Sequence, residues 1–139
     1  AFSDADALVM AAAVSDFRPA DAVKGKIKKS GAALQVSLQP TTDILAKLGA
    51  VKGRRYIVGF AAETDNLIQN AKDKLLRKNI DLVIANVIGK EGVGFGAPDV
   101  EAVLITQGEE RDLGRIPKIE LAKIILNYVQ RALLGDADA

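Results

Sequence analysis

Three short, wholly apolar runs constrain the fold of this chain more than any other feature of its sequence. They cover residues 7–14, 56–62 and 82–85, and each ends in polar residues. Strands that are covered on both faces of a parallel sheet have such sequences. Helical apolar spacing at 65–78 and a shorter helix at about 42–48 separate the runs. The alternation predicts a Rossmann-like α/β fold, a three-layer sandwich around a mostly parallel sheet.

The remaining segments extend this prediction. A strand is expected at 102–106, a polar turn at 107–110 and a final helix at 117–134, with 135–139 as a frayed tail. Residues 26–41 do not fit the alternation, because a lysine cluster there leads into alternating apolar residues; they predict an inserted arm or β-ribbon. We find no internal repeat, so residues 1–139 are interpreted as one domain.

Polar residues, glycine and proline mark the ends of the helices. Thr64 or Asp65 is expected to cap the start of the longer central helix, and Asn79 to take the left-handed conformation after its end. Gly49 is expected to close the shorter helix, and Pro117 suits the first turn of the last one.

Composition excludes several kinds of chemistry. The chain has no cysteine and no histidine, which removes thiol nucleophiles, imidazole bases and the usual zinc ligands. A net charge of +1 gives no overall field for nucleic acid or an anionic membrane. No apolar run approaches the roughly 20 residues of a membrane span, and the first residues do not form a signal peptide. We therefore expect a cytoplasmic protein that binds neither nucleic acid nor membrane.

Polar residues that follow the apolar runs would meet at one edge of the sheet. Asp16 follows the first run, Glu63 and Thr64 the second, and Asn86 the third. Ligands of open parallel sheets bind at this carboxyl edge. The last residues of the first run are mostly small, which suits either a base lying against the backbone or close packing of helices.

Lysines are candidates to neutralise an anion at this edge, although a solvated surface is the ordinary interpretation of both groups. Four lie within 24–29, and Lys74 and Lys78 share one face of a helix. The chain has no dinucleotide-binding fingerprint and no Walker loop, and its glycine-rich segment 92–96 precedes a strand, which indicates a mobile loop. Lysines, acids at the strand ends and the lack of a covalent catalyst together indicate a nucleotide triphosphate site with magnesium. The sequence does not indicate which residues hold the metal.

Several motifs, spaced in order from about residue 5 to 133, resemble one family, the bacterial phosphopantothenoylcysteine synthetases. They are Ala12–Pro19 (AAVSDFRP), Lys26–Lys29 (KIKK), Thr42–Leu45 (TDIL), Gly59–Thr64 (GFAAET), Lys74 with Lys78, and Asp81–Asn86 (DLVIAN). The resemblance implies a ligase that activates 4′-phosphopantothenate with CTP and couples it to cysteine, releasing CMP and pyrophosphate. It also implies a homodimer in the complete enzyme and, in many relatives, a fused flavin-dependent decarboxylase.

The resemblance further assigns nucleotide contacts by position: Met10, Ala11, Ala12, Asp16, Lys26, Thr42, Asp43, Ile44, Leu45, Phe60, Lys74 and Lys78. The segment 10–12 would line the cytosine, Asp16 would hold a polar group of the nucleotide, and Phe60 would pack against it. Lys26 would serve acyl transfer as the catalytic residue. The start of the 42–45 segment would bind phosphate through its amides.

The remaining assignments and departures concern the phosphates and the loops. Lys74 and Lys78 would hold the triphosphate. Thr42 stands where the family commonly has proline, Val87 where it has Asp, and Val100–Glu101 where it has Asn. The family's earlier half, which carries a glycine-rich turn and binds the acyl-nucleotide, is not in these residues. An alternative hypothesis is a nucleotide-binding or interaction module that has lost catalysis; an unrelated oxidoreductase lacks its glycine fingerprint here.

Overall fold

The computed structural model describes residues 2–21, 24–29, 31, 33–63, 65–87 and 96–135. Its strands are β1 (Ala7–Met10), β2 (Phe17–Pro19), β3 (Leu38–Pro40), β4 (Tyr56–Glu63), β5 (Leu82–Val87), β6 (Asp99–Ile105) and β7 (Glu110–Pro117). Its helices are α1 (Ile44–Ala50), α2 (Leu67–Arg77) and α3 (Lys118–Leu134), after a 3-10 turn at Phe2–Asp4. These elements form two compact units, one of Ala1–Ala11 with Leu45–Ala139 and one of Ala12–Ile44. The interpretation as one domain stays a prediction.

The larger unit is built on a five-stranded mixed sheet in the order β1-β4-β5-β6-β7. Strands β1, β4 and β5 pair in parallel, and β6 and β7 join them antiparallel. Helix α2 follows β4 and packs on one face of the sheet. Helix α3 packs on the other, which confirms the three-layer, Rossmann-like α/β prediction.

Alternation along the strands separates two apolar cores. In β4, Ile57 and Ala61 face α2, whereas Val58 and Phe60 face α3. The α2 core also contains buried residues of α2, β5 and β6: Ala71, Leu75, Val83, Ala85 and Ile105. The α3 core contains Leu82, Ile84, Leu104, Leu121, Ile125 and Val129. Burial on both faces explains why these strands read as continuous apolar runs.

Helix α2 begins and ends close to the predicted residues, with one difference at its start. Asn66, rather than Thr64 or Asp65, is the residue before the first turn, and it lies in the left-handed region with a φ of 50°. Its side chain makes no capping hydrogen bond, and Thr64 lies outside the described residues. Asn79 has a φ of 49° after the helix end, which confirms the predicted left-handed residue.

The first strand is shorter than its apolar run, and the last strand was not predicted. β1 ends at Met10, and the six residues that follow, 11–16, are exposed and belong to no strand. β7 was missed because half of its residues are charged and it contains Gly114, as suits an exposed edge strand. Helix α1 runs past Gly49, which lies within it instead of closing it. The glycine-rich segment falls largely outside the described residues.

An ion pair joins the starts of the central strands. The carboxylate of Asp81 accepts a hydrogen bond from the Ile57 backbone N–H at 2.8 Å and contacts the Lys52 ammonium at 2.6 Å. The Asp81 N–H in turn donates to the Ile57 carbonyl at 2.9 Å. Nearby, burial raises the pKa of Tyr56 to about 12, and the Asp81 charge adds to that shift. These contacts fix β4 relative to β5 at the amino edge of the sheet.

The smaller unit contains a two-stranded antiparallel ribbon of β2 and β3. Phe17 pairs with Pro40 and Pro19 with Leu38. This confirms a ribbon in the inserted segment, although its first strand lies earlier in the chain than the predicted arm. Residues 26–29, which carry three of the lysines, have no regular secondary structure.

Candidate nucleotide-binding site

The carboxyl edge of the larger unit has a step where β1 ends. Met10 pairs with Gly59, and β4 then continues to Glu63 with β5 as its strand partner. Ligands of open parallel sheets bind outside this carboxyl edge. Phe60, the first residue of β4 beyond the step, is half-buried on the α3 face of the sheet.

Lys74 reaches this step from the opposite face. It lies on α2, one turn before the helix ends, and its ammonium donates a hydrogen bond to the backbone carbonyl of Phe60. The lysine side chain is half-buried, and the structure gives it further interactions. A hydrogen bond therefore joins Lys74 and Phe60, which are both predicted to contact the nucleotide. The Lys74 ammonium binds the Phe60 backbone carbonyl, and the Phe60 ring packs on the α3 face of the sheet.

Three other predicted residues of the larger unit occupy different environments. Leu45 is 5% exposed and Met10 is partly buried, and both belong to the core beneath α2. Ala11 is exposed at the end of β1. Met10 and Leu45 thus share a packing role in addition to their predicted place beside the nucleotide, and mutation of either is expected to affect stability.

Lys78 directly follows the last residue of α2, towards the amino edge of the sheet. Its backbone N–H donates to the Lys74 carbonyl at 3.0 Å, and its own carbonyl lies against Gly49 of α1. The side chain is half-buried and has interactions within the protein. The structure therefore places Lys78 one helical turn away from Lys74, farther from the step between β1 and β4.

In the smaller unit, two of the predicted nucleotide segments lie next to each other. The Thr41 N–H donates to the Asp16 carbonyl at 2.8 Å, and the Thr41 hydroxyl donates to the Ser15 carbonyl at 2.5 Å. Asp16 therefore lies directly beside the segment 42–44, whose side chains are all exposed. Asp43 has interactions within the protein. The residue pattern did not single out Thr41 or Ser15, because their contacts use backbone carbonyls.

Ala12 and Lys26 complete the predicted set, and both are exposed in the smaller unit. Ala12 accepts a backbone hydrogen bond from Val14 at 3.1 Å. Lys26 projects from an irregular segment. The roles assigned to these residues by resemblance stay predictions.

The described residues contain no preformed cage for a metal ion. Within the described part of the chain, no three acidic side chains come together as a metal site. Magnesium in nucleotide sites is usually held by one or two carboxylates together with phosphate oxygens. Asp16 and Asp43, on neighbouring segments of the smaller unit, fit that smaller requirement.

Membrane spans were also sought. Among the helices that the structure describes, none has both the length and the apolar character that a membrane span needs.

Comparison with known proteins finds one domain family that matches almost the whole chain. The profile of the DNA/pantothenate metabolism flavoprotein C-terminal domain matches residues 1–133. A Bacillus subtilis protein named coenzyme A biosynthesis bifunctional protein CoaBC is 35% identical over 129 residues, which cover 92% of this chain and 32% of that protein. A cysteine/cysteine sulfinic acid decarboxylase from an unknown prokaryotic organism is 40% identical over 113 residues, 81% of this chain and 32% of that protein.

A solved structure with a related name has a similar fold. The crystal structure of the C-terminal domain of a coenzyme A biosynthesis bifunctional protein CoaBC superposes with a TM-score of 0.75 at 28% identity. The match covers 97% of this chain and 58% of that one. The chain therefore spans about a third of the length of the two curated relatives and somewhat more than half of the solved domain.

Proposed function

Since this chain belongs to the DNA/pantothenate metabolism flavoprotein C-terminal domain family, we propose that it is the nucleotide-binding part of a phosphopantothenate–cysteine ligase of coenzyme A biosynthesis. The observation that carries the proposal is the pair of hydrogen bonds from Thr41, which brings Asp16 beside the segment 42–44. Both segments were expected to contact the nucleotide from the resemblance alone. The name of the 35% identical Bacillus subtilis relative supports the same pathway.

The proposed reaction has two transfers. The carboxylate of 4′-phosphopantothenate attacks the α-phosphorus of CTP, forming an acyl-cytidylate and releasing pyrophosphate. The amine of cysteine then attacks the acyl carbonyl, an amide forms, and CMP leaves. Neither transfer requires a thiol or an imidazole, in keeping with a chain that has neither. Positioning and charge neutralisation contribute most to phosphoryl-transfer catalysis of this kind.

Individual residues have distinct tasks in this proposal. Lys26, exposed on its irregular segment, neutralises charge that develops during acyl transfer. Lys74 and Lys78 bind the triphosphate, and the hydrogen bond from Lys74 to the Phe60 carbonyl holds its ammonium near the sheet step before ligand arrives. Asp16 binds a polar group of the nucleotide, and Phe60 contributes an apolar surface.

CTP as the nucleotide and magnesium as its ion also belong to the proposal. Magnesium bound with the triphosphate would neutralise phosphate charge, and Asp16 and Asp43 are the residues that would hold it. The chain's own contribution is to keep these carboxylates on neighbouring, exposed segments. We choose CTP over ATP because of the family resemblance. Measuring the selectivity between the two nucleotides therefore tests this choice directly.

Partners and location follow from the same family. We propose a homodimer of the complete enzyme in the cytoplasm, with a flavin-dependent decarboxylase fused in many relatives. Exposed apolar side chains on the smaller unit, such as Phe17 (56%) and Leu38 (58%), support association with another polypeptide. The small-molecule partners are 4′-phosphopantothenate, cysteine and CTP.

A second candidate is a nucleotide-binding or interaction module without ligase activity. The 40% identical relative favours this candidate, because it is named a decarboxylase and not a ligase. A similar segment therefore occurs in a protein that is named for a different activity. In that case the site would bind nucleotide and no pyrophosphate would form.

Pyrophosphate release separates the two candidates. The chain would be assayed alone and joined behind the unmatched preceding part of the Bacillus subtilis relative, with CTP, magnesium and 4′-phosphopantothenate. Release that depends on both CTP and 4′-phosphopantothenate supports the ligase. Binding of CTP without release supports the module, and absence of CTP binding contradicts both.

A further inference from the structure

We propose that Thr41 is a positioning residue, which fixes the direction in which the Asp16 side chain leaves the backbone and so points it towards the nucleotide. This role rests on the proposed nucleotide site and adds a residue that the family resemblance did not assign. It concerns only contacts within the smaller unit, between Ser15, Asp16 and Thr41.

Thr41 binds the two carbonyls that flank the Asp16 Cα atom. The Ser15 carbonyl belongs to the peptide plane before that atom, and the Asp16 carbonyl belongs to the plane after it. The Thr41 hydroxyl binds the first at 2.5 Å, and the Thr41 N–H binds the second at 2.8 Å. When both planes that flank a Cα atom are held, its φ and ψ are held, and so is the direction of its Cα–Cβ bond.

The two hydrogen bonds from Thr41, called the clamp below, are important because of the surroundings of Asp16. Every residue from Ala11 to Pro19 is exposed, so no core packing orients the carboxylate. The Ser15 hydroxyl donates to the Phe17 carbonyl at 2.8 Å, and Phe17 pairs with Pro40 in the ribbon. Backbone hydrogen bonds are therefore the means by which this loop is ordered. Thr41, which is half-buried, supplies two of them.

The position of Thr41 also links Asp16 to the proposed phosphate segment. Thr41 directly precedes residues 42–44, so a shift of its backbone moves that segment together with Asp16. Preorganising two contacts in one rigid piece reduces the entropy that ligand binding has to offset. The hydroxyl is therefore expected to affect affinity more than stability.

The test uses two substitutions at position 41 and one control. Thr41→Val keeps the shape and the N–H but removes the hydroxyl, whereas Thr41→Ser keeps the hydroxyl. Thr106→Val is the matched control, because the Thr106 hydroxyl also bonds to backbone, accepting from the Gly108 and Glu109 N–H groups in the exposed β6–β7 turn.

Binding of magnesium–CTP would be measured by calorimetry for each protein. Loss of one hydroxyl–carbonyl bond predicts that Thr41→Val binds about two- to tenfold more weakly, with Thr41→Ser and Thr106→Val near wild type. Equal affinity of Thr41→Val and wild type would overturn the positioning role and leave the proposed function standing.

Nuclear magnetic resonance relaxation of the Ser15 and Asp16 amides supplies a second readout that does not depend on ligand. We expect increased motion of both amides in Thr41→Val and restored order in Thr41→Ser. If wild type itself does not bind CTP, the proposed function fails and the assigned purpose of the clamp fails with it. Unchanged amide motion in Thr41→Val contradicts the clamp whatever the binding result.

Discussion

Gly49→Ala is expected to destabilise the larger unit, because α1 crosses the end of α2 at this glycine. A Cβ atom at Gly49 would lie 1.8 Å from the carbonyl oxygen of Lys78, 3.0 Å from its carbonyl carbon and 3.3 Å from the Asn79 carbonyl oxygen. Ordinary contact begins at 3.4 Å, so the backbone would have to move by about 1.6 Å. The Asn79 side chain also donates to the Gly49 carbonyl at 2.9 Å, which resists that movement.

The expected magnitude follows from two opposing effects. Alanine favours a helix over glycine by about 1 kcal/mol, whereas overpacking costs about 1–3 kcal/mol and more when backbone must move. Because the backbone must move at Gly49, we expect an overpacking cost of about 3–4 kcal/mol, which leaves a net loss of about 2–3 kcal/mol in the free energy of unfolding. For a chain of this length that corresponds to a fall in Tm of roughly 10 °C.

Urea unfolding followed by circular dichroism would measure the loss, with two other glycines for comparison. Gly59→Ala meets only side-chain ends, Ile80 Cδ1 at 2.8 Å and Leu45 Cδ2 at 3.0 Å, so a smaller loss of about 1 kcal/mol is expected. Gly108→Ala meets nothing within 4 Å and should be neutral. A Gly49→Ala protein as stable as wild type would refute the packing of α1 against the end of α2.

Three further predictions concern single side chains. Asp81→Ala leaves the buried Ile57 N–H without its carboxylate acceptor, so the free energy of unfolding should fall by about 1–3 kcal/mol. Asp81→Asn should lose less, and equal stability of wild type and both variants in urea would contradict this prediction. Because the pKa of Tyr56 is about 12 in the folded protein, above its usual 10.0, its contribution to stability is complete below pH 10 and is lost as the pH rises towards 12. Tyr56→Phe should remove that part of the pH dependence, and phenolate absorbance should show one tyrosine titrating near pH 12. Lys26→Gln in the complete enzyme should abolish most turnover and leave Tm unchanged, since an exposed lysine contributes little to the core; unchanged turnover would count against its catalytic role.

The central sheet was predictable from sequence because burial on both faces leaves a continuous apolar signal. Leu82 and Val83 are fully buried on opposite faces, and their run identified β5 correctly. β7 gave no such signal, because an edge strand exposes its side chains and tolerates charges such as Arg111 and Arg115. The end of β1 was also misplaced, since an apolar composition at Ala12 does not reveal that the chain leaves the sheet there.

The sequence and the resemblance predict a set of candidate site residues, but they do not predict how those residues are arranged. Lys74 and Phe60 are both candidates, yet the hydrogen bond between them joins α2 to the strand residue just beyond the last β1–β4 pair, which no local pattern encodes. Thr41 acts through carbonyls of Ser15 and Asp16 that are distant in sequence, so residue type alone gave no indication of its role. Long-range backbone contacts of this kind require the folded structure.

Thermal unfolding of the 139-residue chain with magnesium and CTP, beside ATP and GTP, tests the proposed nucleotide site most directly. A ligand that binds only the folded state stabilises it by about 2.7 kcal/mol at 100 times its dissociation constant. We predict a clear rise in Tm with CTP that neither ATP nor GTP reproduces. An unchanged Tm with every nucleotide would contradict the nucleotide-binding roles proposed for Asp16, Lys26 and Lys74.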